Sequence, residues 1–167
     1  MSEIKILTIE HADIYRSLRL EALKNNPEAF SSSYEEEVVL PLSVYEKRLQ
    51  STETYIFGAF SDNRLVGTVT LVKESKRKLQ HRATIFAMYV SQESRQKGIG
   101  KSLMVNALEK ARNLKTIEQI YLTVVTENHT AKSLYELLGF QVYALERKAL
   151  KINDHYYDEE HMVCFIT

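Results

Sequence analysis

The chain has 167 residues, 44 % apolar and 26 % charged, which excludes a disordered, collagen-like or coiled-coil polypeptide. Its 22 Lys+Arg balance 22 Asp+Glu, so the strong positive field of a dedicated nucleic-acid binder is absent. A lone cysteine, Cys164, excludes an internal disulfide and a cysteine-built zinc cage.

Taken in order, Ile4–Ile9 predicts a strand with Ile4 and Ile6 on one face. Ile14, Leu18 and Ala22, with Tyr15 and Leu23, recur at helical spacing and predict a helix from Ala12 to Asn25, ended by Asn26-Pro27. Residues 28–42 read as an acidic loop, and Ser43 with Glu46 has the form of a capping box opening a short helix to Gln50. Tyr55–Phe60 is a buried-type strand, Asp62-Asn63 a two-residue turn, and Arg64–Lys73 a strand with Leu65, Gly67, Val69 and Leu71 on one face. Residues 73–82 form a polar, basic hairpin tip. Ala83–Val90, apolar on both faces, predicts a central strand. A helix follows from about Gly98 to Arg112, with the stripe Ile99, Leu103, Met104, Ala107, Leu108 and Ala111. Gln119–Thr126 is a further strand, so strand, helix and strand make a parallel βαβ unit. Asn128–Leu138 is a helix with Gly139 as its left-handed cap. Phe140–Leu150 and Tyr157–Ile166 close the chain as two strands turning at Asn153-Asp154. The sum is one α/β domain over residues 1–167: a mixed, mostly antiparallel sheet with a central parallel pair and helices on both faces.

The chemistry concentrates in Arg95-Gln96-Lys97-Gly98-Ile99-Gly100-Lys101, between the central strand and its helix. Glycines at a helix start let backbone approach a ligand, and the free N–H groups there favour an anion such as phosphate. A glycine-containing turn with solvated lysines satisfies the same local sequence. The dinucleotide fingerprint fails because residue 103 is Leu103, and the P-loop fails because residue 95 is Arg95.

Arg95-x-x-Gly98-x-Gly100, preceded by Met88-Tyr89-Val90 and followed by Asn128-x-x-Ala131-x-x-x-Tyr135 and Tyr135-x-x-x-Gly139-Phe140, resembles the GNAT superfamily of N-acetyltransferases. The specific part of the likeness spans residues about 88–140. It implies acetyl-CoA as cosubstrate, no metal, and transfer of acetyl to a primary amine on a small molecule or peptide. It also implies roles. The backbone of Met88 and Val90 would pair with the pantetheine arm. Arg95, Gln96, Lys97, Gly98, Ile99, Gly100 and Lys101 would hold the pyrophosphate, chiefly through N–H groups. Asn128 would bond the pantetheine, a role compatible with an ordinary helix N-cap. Tyr135 would protonate the departing sulfur, against the alternative of a core tyrosine. Thr84 stands where histone-type members carry a glutamate base, and threonine cannot serve. Glu35, Glu36, Asp158 or a water chain remain as bases.

Other features carry less. Glu35-Glu36-Glu37 hints at a cationic acceptor such as a polyamine, a lysine side chain or a peptide N-terminus, with residues 28–50 and 156–158 forming the acceptor side. Lys73, Lys76, Arg77, Lys78 and Arg82 are read as a solvated hairpin tip rather than a nucleic-acid contact. His155 and His161 match no metal-ligand spacing, and Cys164 reads as a core thiol. The start Met1-Ser2-Glu3-Ile4-Lys5 carries no signal-peptide pattern, and no run suits a membrane span. The expectation is a cytoplasmic protein without membrane or nucleic-acid partners, with a homodimer left open. A silent acyl-CoA sensor and a nucleic-acid module using residues 73–82 are the alternative functions.

Overall fold

The computed structural model describes residues 2–166. The β-branched and aromatic runs become β1 (Glu3–Ile6), β2 (Thr54–Ser61), β3 (Arg64–Lys73), β4 (Arg82–Val90), β5 (Gln119–Val125), β6 (Gln141–Ile152) and β7 (His155–Phe165). The helical patterns become α1 (Ala12–Asn25), α2 (Tyr34–Val38), α3 (Leu42–Gln50), α4 (Ile99–Asn113) and α5 (His129–Leu137). The strands join one sheet in the order β1-β2-β3-β4-β5-β7-β6. Every pairing is antiparallel except β4–β5, as expected for the mixed sheet. Among the described residues no helix is long and apolar enough to cross a membrane.

Side-chain alternation along the strands divides the core between two faces. Phe57 joins Leu103, Met104 and Ala107 of α4, whereas its neighbour Ile56 joins Tyr15 of α1 and Tyr45 of α3. Helices therefore cover both faces. Leu103 and Met104 are fully buried, and each such side chain contributes roughly 1.5–3 kcal/mol by leaving water. Tyr135 and Phe140 extend the α4 side of the core toward β5 and β7.

Several local expectations change. The first strand stops at Ile6, because a 3-10 turn at Ile9–His11 follows and the Thr8 N–H donates to His11 Nδ1 at 2.9 Å. Residues 28–42 are not all loop: Tyr34–Val38 is α2, opened by a capping box between Ser33 and Glu36. Ser43 caps nothing; α3 starts behind Pro41, whose fixed φ suits a helix entry. Leu65 leaves the face of Gly67, Val69 and Leu71. Phe60 pairs with Leu65 and Ala59 with Gly67, so Val66 is an extra residue that reverses the alternation. The Asp62-Asn63 turn stands, with φ of 49° and 62° as a tight hairpin requires.

Two distortions open the sheet. Thr68 pairs with Tyr89 but Thr70 with Phe86, which leaves a bulge in β4 at Ala87, φ 54°. On its other edge β4 pairs with β5 only from Arg82 to Thr84, while β5 stays paired with β7 from Gln119 to Val125. β4 and β5 diverge beyond that point and leave a slot in the sheet.

Candidate active site

The slot encloses about 330 Å³. Phe86, Ala87 and Met88 of β4 line one wall, and Thr123 to Val125 of β5 line the other. Asn128, Ala131 and Tyr135 of α5 close it on one side of the sheet, while Glu28 to Ser31, Glu159 and His161 rim it on the other.

The backbone of β4 faces this opening. The Ser91 N–H donates to the Val66 carbonyl and Tyr89 stands opposite Thr68. Antiparallel alternation therefore turns the amides of Met88 and Val90 to the edge that β5 has left. Arg95 Nε takes the Val90 carbonyl at 2.9 Å, which leaves the Val90 N–H and both Met88 groups for a ligand strand. Arg95 Nη2 also bonds Asn26 Oδ1 at 2.8 Å, and its guanidinium lies over the Tyr89 ring. Arg95 thus pins the loop to α1 and β4 rather than reaching outward.

Gln96 at φ 62° and Gly98 at φ 77° curl the chain before α4, so successive N–H groups turn toward one point. The first helical bond runs from the Ser102 N–H to the Gly98 carbonyl. The N–H groups of Ile99, Gly100 and Lys101 therefore have no partner within the helix and present its positive end. A Cβ on Gly98 would meet nothing within 4 Å, so the space in front of this terminus is open. A Cβ on Gly100 would lie 2.9 Å from Met88 Cε, so the glycine brings α4 close beneath the slot wall. The side chain of Ile99 is buried, and Lys97 Nζ turns back to the Glu93 carbonyl at 3.1 Å. Only the backbone of these two residues is offered; Lys101 stays exposed.

Asn128 caps α5, its Oδ1 accepting from the Ala131 N–H at 3.2 Å, while it also lines the slot. Capping fixes the side chain and leaves Nδ2 as the donor for a ligand carbonyl. Tyr135 is 7 % exposed, its ring edge-on to Phe140. Burial pushes its phenol up to about 12. Its hydroxyl makes no hydrogen bond among the described residues, and the residue lines the slot.

The bases considered from sequence lie elsewhere. Thr84 pairs with Tyr121 at the closed end of the slot and does not line it. Glu36 closes the α2 capping box, and that bond holds its carboxyl below the usual range. Asp158 Oδ1 accepts the Lys148 N–H at 2.8 Å and shapes the β6 irregularity. Glu37 is buried; burial pushes its carboxyl up, but Arg19 at 2.8 Å and Arg48 at 3.3 Å outweigh that and hold it at about 2. Glu36 and Glu37 are thus consumed in capping and ion pairing, while Glu35 is exposed on α2 and does not line the slot. Glu28 falls within the stretch expected on the acceptor side. Sequence reading weighs Glu159 and His161 only as part of a metal site and misses Glu146; the β5–β7 pairing brings the first two to the slot, while Glu146 bonds His161. Glu159 is pushed up by burial and by Glu146, against His161. Lys73 pairs with Glu53, and Arg82 stacks over Tyr121, so the basic segment is partly committed to the fold. Cys164 is buried beside the Leu138 carbonyl, as a core thiol would be.

Comparison with known proteins agrees with this geometry. Spermidine N(1)-acetyltransferase of Vibrio cholerae is 29 % identical over 61 % of this chain and 57 % of its own. N-alpha-acetyltransferase 30 of Dictyostelium discoideum is 32 % identical over 65 % and 59 %. The matched region thus spans under two thirds of these relatives' lengths. A GNAT-family acetyltransferase structure from Streptococcus pneumoniae superposes with a TM-score of 0.88 at 20 % identity, covering 99 % of this chain and 100 % of that one. The yncA structure from Salmonella typhimurium, solved with its cofactor acetyl-CoA, gives 0.82 at 16 % identity, covering 100 % and 95 %. The model of the acetyltransferase (GNAT) family matches residues 14–140, from α1 through Phe140 and so across the loop, the slot and α5. The chain belongs to the acetyltransferase (GNAT) family.

Proposed function

We propose that this protein transfers the acetyl group of acetyl-CoA to a primary amine that enters as an ammonium ion. The observation that carries the reading is the parted β4–β5 edge, which joins an open helix N-terminus to a largely buried tyrosine that lines the slot. Acetyl-CoA fits these residues. Its diphosphate matches the N–H groups of Ile99 to Lys101 in the open space before Gly98. Its amide-bearing arm matches Met88, Val90 and Asn128. When bound, it supplies a thioester, an acyl group activated toward amines.

The chain's own residues then have three tasks. The freed N–H of Met88 or Val90 is placed to stabilise negative charge on the acyl oxygen. Tyr135 donates to the developing thiolate, and its burial keeps the phenol protonated throughout the working pH range. Glu28 and Glu159 on the opposite rim attract a cationic acceptor and exclude an anionic one. The curated relatives include enzymes named for spermidine, for L-amino acids and for N-alpha positions, all of them amines. Free thiol release from acetyl-CoA over a panel of polyamines, amino acids and peptides tests the reading. An acyl-CoA sensor would bind acetyl-CoA and release no thiol with any of them.

A further inference from the structure

Thr123 on β5, His161 on β7 and Glu146 on β6 stand in line at the acceptor rim of the slot. His161 Nε2 lies 2.9 Å from Glu146 Oε2, and its Nδ1 lies 3.3 Å from Thr123 Oγ1. An ionised carboxylate only accepts, so Nε2 carries the hydrogen and Nδ1 keeps the lone pair, which accepts the Thr123 hydroxyl until a stronger donor displaces it. The sheet fixes this arrangement. Thr123 is the direct cross-strand partner of His161 in the β5–β7 ladder. The irregularities in β6 bring Glu146 opposite Glu159, one side-chain step along the same face of β7. The Tyr143 ring packs on the imidazole at 6.1 Å. His161 and Thr123 line the same slot as Tyr135. All three lie on strands or positions that the family match, ending at Phe140, covers only through Thr123.

We infer that His161 is the general base of the reaction, taking a proton from the acceptor ammonium at Nδ1, and that Glu146 positions it. This rests on the N-acetyltransferase reading. Glu146 on β6 and Glu159 on β7 are the carboxylates that face the imidazole; Thr123 on β5 and Tyr143 on β6 are its uncharged neighbours, and Glu28 lies across the slot. Glu159 is the rival base, but it has no partner orienting it, and a carboxylate is a weaker base than an imidazole. It serves better as the anion that holds the ammonium.

The protons and bonds balance. The ammonium gives one proton to His161 Nδ1. The nitrogen lone pair forms the C–N bond while the C–S bond breaks, and the thiolate takes the proton of Tyr135. The second nitrogen proton is lost as the amide forms and returns through solvent to Tyr135, and His161 releases its own proton to solvent.

The test is the pH profile of kcat/KM for His161→Gln, Glu146→Gln and Glu159→Gln, beside acetyl-CoA affinity by calorimetry. His161→Gln keeps acetyl-CoA affinity, loses about 10²–10⁴-fold in kcat near neutrality, and moves the rising limb up toward the acceptor's own titration. Glu146→Gln keeps acetyl-CoA affinity and lowers kcat by about tenfold or more, and Glu146→Asp restores part of it, because the imidazole loses the carboxylate that fixes its tautomer and orientation. A folded His161→Gln protein with wild-type kcat and limb overturns the assignment, and so does loss of the limb in Glu159→Gln alone. Should His161→Gln not fold, a wild-type kcat in folded Glu146→Gln overturns it. A wild-type protein inert toward every amine overturns the function itself, whereas an active wild type with an indifferent His161→Gln overturns only the base.

Discussion

Tyr135→Phe separates a catalytic tyrosine from a structural one, because the structure sets a magnitude for each. The ring packs against Phe140 and persists in the variant, and the hydroxyl gives up no hydrogen bond within the protein. Stability should therefore change by less than about 1 kcal/mol, or about 2–4 °C in Tm for a chain of this size. The catalytic loss is bounded from the phenol, which burial pushes up to about 12. An ordinary thiol titrates near 8.5, so complete transfer from Tyr135 to the thiolate would be uphill by about 3.5 units, roughly 5 kcal/mol. Tyr135 should then act mainly as a strong donor to a thiolate still forming. Its contribution falls at the low end of general acid catalysis, a loss of about 10²-fold in kcat, or about 2.7 kcal/mol. Thiol release at saturating acetyl-CoA, calorimetric affinity and thermal melting on one preparation give all three quantities. A destabilised protein with unchanged kcat per folded molecule would refute the reasoning and return Tyr135 to the core.

Three further outcomes follow from the geometry. Gly98→Val should weaken acetyl-CoA binding by about tenfold or more while the protein stays folded, since the new side chain enters the open space before α4 at a φ of 77°; Gly100→Val should also bind less tightly because its Cβ displaces Met88, and calorimetry reads both. Thr84→Val should leave kcat and its pH limb near wild type, because Thr84 lies at the closed end of the slot; loss of the limb would contradict that placement. Glu37 is held at about 2 in the folded protein, below its ordinary 4.5, so its ion pairs stabilise the fold above pH 4.5 and lose that contribution as pH falls toward 2. Glu37→Gln should lower stability by about 3–5 kcal/mol at neutral pH and flatten the acid limb of unfolding, read by denaturant melts from neutral pH downward.

The half of the candidate site proposed to hold acetyl-CoA was legible in the sequence because it is local. Gly98 and Gly100 open a helix, Asn128 caps another, and Tyr135 lies on a stripe whose period can be counted. The fold was legible for the same reason: the strands and long helices carry clear periods of 2 and 3.6. The acceptor half was legible only in the stretch 28–50, which supplies Glu28 to Ser31. Glu146, Glu159 and His161 meet Glu28 and Thr123 only through the sheet order that places β7 between β5 and β6. No spacing along the chain announces that meeting. The acidic run misled because charge in sequence does not reveal pairing: Arg19 and Arg48, on two other helices, neutralise Glu37. Leu65 was misplaced because one extra residue in β3 reverses the face of everything before it.

The central claim is that the slot joins an acyl donor on the α5 side to an amine on the rim of Glu159 and His161. The most direct measurement is simultaneous: free thiol and acetylated amine counted from one reaction of the wild-type protein with acetyl-CoA and a cationic primary amine. The account predicts equal amounts of both, with thiol release dependent on the amine. Tight acetyl-CoA binding with no amine-dependent thiol, across polyamines, amino acids and peptides alike, would contradict it.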